Sequence, residues 1–83
     1  MVSIHTTAYQ DMISLLKKHR EVLDLSQREL AKQLGVSQSY ISKVESCELR
    51  LDIIDYCNYA ASLSIDPELV LNMIKNHILY YRK

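Results

Sequence analysis

The chain has no tryptophan, no phenylalanine, one glycine, one proline and two cysteines in 83 residues. Without the two largest apolar aromatics, any core must be aliphatic, with the six tyrosines as its only aromatic partners. One Gly and one Pro leave few breaks, which favours helices joined by short connections over hairpins and long loops. Cys47 and Cys57 have neither a CxxC nor a metal-ligand spacing. Free thiols are expected, with a disulfide left open. No apolar run approaches the ~18 residues of a membrane span. No basic-then-apolar leader is read at the start, so the expected location is the cytoplasm. Ten basic and ten acidic side chains cancel, so binding to nucleic acid requires a placed patch rather than bulk charge.

Catalytic readings find little footing. His5, His19 and His77 are scattered and form no HExxH pattern. A single glycine excludes a glycine-rich phosphate loop. Asp52 and Asp55 stand three apart, but Asp52 is better explained as a helix cap. Cys57 reads as core. Cys47 is expected to be exposed, which makes a redox-sensing thiol conceivable, with Arg50 the one neighbour that favours a thiolate. No enzyme activity, metal, cofactor, small-molecule ligand or membrane contact is implied.

The length suits one domain over residues 1–83 with a core that needs no staples. Residues 1–6 read as an arm. Thr7 and Gln10 are spaced as a capping box, and helix 1 is expected from about Ala8 to Val22, with Tyr9, Met12, Ile13, Leu16 and Arg20 inward. Ser26 and Glu29 form a second box before Leu30, Ala31 and Leu34. Gly35 ends that helix, and Ser37 caps the next. A loop over 46–51 follows. Asp52 caps a helix whose inner face takes Ile53, Tyr56, Cys57, Ala60 and Leu63.

Asp66 and Pro67 open the last helix, over 66–83. It holds more apolar residues than one buried face uses. Leu69, Met73 and Ile74 are expected to face the domain. Leu71, Ile78, Leu79 and Tyr81 remain for a self-association surface; the alternative is that the whole helix wraps the core.

The segment QRELAKQLGVSQSYISKVES, Gln27 to Ser46, therefore reads as helix, tight turn, helix. Ala31, Gly35, Val36, Ile41 and Val44 let the two helices pack steeply and leave the outer face of the second free to enter a groove. LKKHREVLDLSQRELAKQLGVSQSYISKVES resembles the phage-repressor (Cro/CI, or XRE) helix-turn-helix family, on Leu16, Arg20, Ser26-Gln27, Leu30-Ala31, Gly35-Val36-Ser37, Ile41-Ser42 and Glu45. ASLSIDPELVLNMI is similar to the end of the same domain, so the resemblance spans roughly Ile13 to Ile74. Size and a long last helix are also similar to the small controller proteins of restriction–modification systems.

The resemblance implies an all-α, five-helix, lambda-repressor-like domain. It implies a homodimeric transcription regulator, expected to be a repressor, on a near-palindromic duplex-DNA operator. Gln27 would touch a phosphate and buttress Gln38. Gln38, Ser39 and Lys43 would read base edges: Gln pairs two-pronged with adenine, Lys donates to guanine, and Ser serves either. Ser37, Ser42 and Arg50 complete the expected DNA-contacting set, together with Tyr40, which is read either as a base or phosphate contact or as partial core packing. Arg20 and Glu45 are expected to form a structural ion pair.

The chain departs from the family after Glu45, where a Gly and then a basic residue are usual and Ser46-Cys47-Glu48 stands instead. A positive φ at Cys47 would cost on the order of 1 kcal/mol. Glu48 puts a negative charge where the loop should approach a phosphate, leaving that contact to Arg50. Neutral charge and Glu48 keep a second function open: a protein-interaction module of the same fold, of antitoxin type or masking another regulator.

Overall fold

The computed structural model describes residues 7–75 and is all-helical over them. The helices are α1 (Thr7–Val22), α2 (Gln27–Leu34), α3 (Gln38–Glu45), α4 (Ile53–Ser62) and α5 (Pro67–Ile74). The arm 1–6, the expected interface residues Ile78, Leu79 and Tyr81, and the side chains of Met73 and Ile74 lie outside the described residues.

Four helices start where a short polar side chain replaces the missing backbone acceptor. Ser26 Oγ accepts from the Glu29 N–H at 3.0 Å, and Glu29 Oε1 accepts from the Ser26 N–H at 3.0 Å. Ser37 Oγ accepts from Tyr40 N–H at 3.1 Å. Asp52 Oδ1 accepts from Asp55 N–H at 2.8 Å, and Asp66 Oδ1 from Glu68 N–H at 3.0 Å. The start of α1 differs from expectation: Thr7 is its first helical residue rather than the cap before it.

The helix ends share one geometry. After α1 to α4 the chain enters left-handed backbone at Asp24 (φ 58°), Gly35 (φ 69°), Cys47 (φ 62°) and Ser64 (φ 58°). In each case that residue's N–H closes back three positions, on Glu21, Lys32, Val44 and Ala61. The next N–H closes back five, from Leu25 to Arg20 at 3.1 Å, Val36 to Ala31 at 3.0 Å, Glu48 to Lys43 at 2.8 Å and Ile65 to Ala60 at 2.9 Å. This pair of bonds is the Schellman motif, which satisfies the last carbonyls of a helix. The residue that makes the longer bond is apolar and at least half-buried in three cases, Leu25, Val36 and Ile65; in the third turn it is the exposed Glu48.

Ile13, Leu16, Leu30, Ile41, Val44, Tyr59, Leu63 and Val70 form the fully buried centre. Tyrosine hydroxyls tie its edges. Tyr9 Oη accepts the buried Leu51 N–H at 3.0 Å, and Tyr56 Oη donates to the Pro67 carbonyl at 2.9 Å. Two expected inward residues are exposed instead, Ile53 at 62% and Leu69 at 63%. Ile53 keeps the helical period of Tyr56 and Ala60 but lies in the first turn of α4, beyond the core's edge. Among the described side chains of α5 the buried one is Val70, beside the exposed Leu69. An almost uniformly apolar helix gives periodicity nothing to fix its rotation.

Candidate nucleic-acid interface

α2 and α3 are short because Gly35 and Ser37 stop one helix and start the other within three residues. Gly35 has no heavy atom within 4 Å of where a Cβ would stand, so its positive φ, not crowding, is what calls for glycine. Ile41 and Val44 are fully buried and seat α3 on the core. The opposite side of α3 carries Gln38, Ser39, Ser42 and Lys43, all exposed. Ser37 is exposed too, with its hydroxyl engaged in the cap. Tyr40 is half-buried and packs against the core. Burial raises its hydroxyl pKa, and the nearby Asp55 and Asp52 raise it further. Its ring thus lies against the core, as in the packing alternative.

Arg20 and Glu45 meet beneath this surface. Arg20 Nε lies 2.6 Å from Glu45 Oε2, Nη2 lies 3.0 Å from Oε1, and Nη1 donates to the Leu25 carbonyl at 2.6 Å. Their side chains are 10% and 4% exposed. The hydrogen bond to Glu45 is the main reason the Arg20 pKa is raised, against the opposing effect of burial.

Gln27 joins the pair, donating from Nε2 to Glu45 Oε1 at 2.9 Å. Its amide nitrogen is therefore turned to Glu45, where a buttress to Gln38 was expected. Gln27 and Gln38 do share an open hollow with Arg20, Ser26 and Arg28. The role of Glu45 toward Gln27 had no sequence signal, because the two stand eighteen positions apart. Arg28 likewise carries no sequence signal, being one exposed cation among several.

The chain matches the helix-turn-helix family model over residues 16–50. That span runs from the inner face of α1 into the α3–α4 loop. No curated protein matches the chain. Among solved structures it is similar to an XRE-family like protein from Pseudomonas syringae pv. tomato str. DC3000. The two are 35% identical and superpose with a TM-score of 0.80, over 89% of this chain and 90% of that one. The chain belongs to the XRE-type helix-turn-helix family. Its class is that of DNA-binding regulators. Among the described residues no helix is long and apolar enough to cross a membrane.

The α3–α4 turn carries Cys47 at its left-handed position and Glu48 after it. Cys47 does adopt a positive φ, 62°, where glycine would be unstrained. The Cys47 side chain is half-buried against the core rather than exposed, and burial raises its thiol pKa. That is the opposite of what a sensing thiolate needs. Glu48 does not project freely, because the Ser46 hydroxyl donates to its Oε2 at 2.6 Å. Arg50 is exposed beside it. Leu71 is 40% exposed, so part of α5 is open to a partner.

Proposed function

We propose that this XRE-type protein is a cytoplasmic, sequence-specific duplex-DNA-binding regulator that represses as a homodimer on a near-palindromic operator. The observation that carries the reading is the two-sidedness of α3. Its apolar side is fully buried, while Gln38, Ser39, Ser42 and Lys43 stand exposed on a capped helix. Those side chains are the ones suited to base edges in a major groove. Gln38 reads adenine, Lys43 reads guanine, and the two serines adjust to either. Gln27 and Arg50 are assigned to the backbone. Exposed Leu71 supports a self-association surface on α5, which would set two α3 helices about 34 Å apart on one face of the duplex. No catalytic step is assigned.

A protein-interaction role is the second reading. It is favoured by Glu48, Asp52 and Asp55 lying near α3 together with exposed Ile53 and Ile54. A salt series on random duplexes separates the two. Binding through phosphates must weaken steeply as salt rises, by roughly 0.9 log unit per phosphate per log unit of salt. Absence of binding at low salt would favour the protein partner.

A further inference from the structure

We infer that Glu45 is a positioning residue for the backbone contact: its Oε1 aims the Gln27 amide so that the second hydrogen on Nε2 meets a DNA phosphate. The inference rests on the duplex-DNA reading and deepens it.

The carboxylate decides which way the amide is turned. An ionised carboxylate only accepts hydrogen bonds, so the Gln27 atom at 2.9 Å from Oε1 must be the nitrogen. One Nε2 hydrogen is then engaged on Glu45 and the other remains to donate. Gln27 lines an open hollow between the starts of α2 and α3, with Ser26, Arg28, Gln38 and Arg20. The hollow brings side-chain amides and an exposed guanidinium to one place, with no carboxylate among its lining residues. Donors around a cation are the set that recognises a phosphodiester oxygen.

Charge completes the argument. A lone carboxylate so close to Nε2 would repel the phosphate it is meant to serve. Arg20 engages both Glu45 oxygens, so the pair is neutral as a unit and Glu45 directs the amide without net repulsion. Arg20 neutralises, Glu45 aims and Gln27 touches. Because Glu45 closes α3 and Gln27 opens α2, the same bond holds the backbone contact in register with the base-reading helix.

The test is a double-mutant cycle on a duplex selected with the wild-type protein. Gln27→Ala is expected to weaken binding about 5–10-fold, by the same factor on every operator variant. The paired change R20M/E45L replaces the ion pair with apolar side chains, a kind of exchange that folded proteins tolerate. It is expected to cost the same factor, and Q27A added to it to cost nothing more. A full further loss from Q27A in that background overturns the inference.

The Gln27 side-chain amide protons of the wild-type protein, assigned by their loss in Q27A, give an independent readout by NMR. Duplex is expected to shift the proton that does not face Glu45 and leave the other in place. Both moving alike, or neither moving, overturns the inference. This measurement uses the unaltered chain, so it decides whether or not the paired variant folds. A wild-type protein that binds no duplex at low salt overturns the DNA reading itself, an outcome distinct from failure of the cycle.

Discussion

The Arg20 guanidinium holds the Glu45 carboxylate two-pronged, at 2.6 and 3.0 Å, and so ties α1 to the end of α3 across twenty-five positions. The pair is nearly dry, and a buried charge that loses its partner is costly. Arg20→Ala or Glu45→Ala alone is expected to lower stability by roughly 3–5 kcal/mol. R20M/E45L removes both charges together and is expected to cost far less. Urea unfolding of the three variants is the check; equal losses in all three would contradict the account.

The four left-handed helix ends make a graded prediction. L-residues strain there by on the order of 1 kcal/mol, and glycine does not. Ser64 is exposed, so Ser64→Gly is expected to gain about 0.5–1 kcal/mol. Cys47→Gly gains less, because Cys47 also packs against the core. Gly35→Ala is expected to lose about 1 kcal/mol. Thermal unfolding of the three would show it, and a stabilised Gly35→Ala would count against the assignment.

Two buried tyrosines should respond oppositely to loss of a hydroxyl. Tyr59 Oη is buried with no hydrogen-bond partner among the described residues, and burial drives its pKa strongly upward. Tyr59→Phe is expected to be neutral or to stabilise by up to ~1 kcal/mol. Tyr9 Oη holds the buried Leu51 N–H, so Tyr9→Phe is expected to cost about 1–2 kcal/mol. Matching losses in the two variants, measured by denaturant melts, would refute the distinction.

The capping box of α2 predicts a pH dependence. The Ser26 backbone N–H, and then its side chain, hold the Glu29 carboxyl below its ordinary value of 4.5. A depressed carboxyl pKa gives stability that is complete above the unfolded value and is lost as pH falls through the lower, folded value. Glu29→Gln removes that titration. Its melting temperature is expected to fall less than that of the wild type as pH drops below 4.5; parallel curves would show that Glu29 contributes nothing.

What the sequence made legible follows from the range of each interaction. Ser26, Ser37, Asp52 and Asp66 announce helix starts because capping is local, one short polar side chain ahead of an apolar period. The left-handed ends at Asp24 and Ser64 were hidden, since only Gly35 carries the residue that marks such a position; for Cys47 the family resemblance supplied the signal. Ile53 obeyed the helical period yet fell outside the core, because a period fixes a direction and not how far the core extends. The pairing of Arg20 with Glu45 came from family resemblance, as no local spacing relates them. The bond from Gln27 to Glu45 needed side-chain positions from two helices at once.

The central claim is that the exposed side of α3 reads duplex sequence, and selection of bound sites from random duplexes tests it most directly. The account predicts enrichment of a near-palindromic site with half-sites about 34 Å apart. It also predicts that Gln38→Ala relaxes one position per half-site, worth ~1–3 kcal/mol of discrimination. No enrichment at low salt, or identical preferences for wild type and Gln38→Ala, would contradict it.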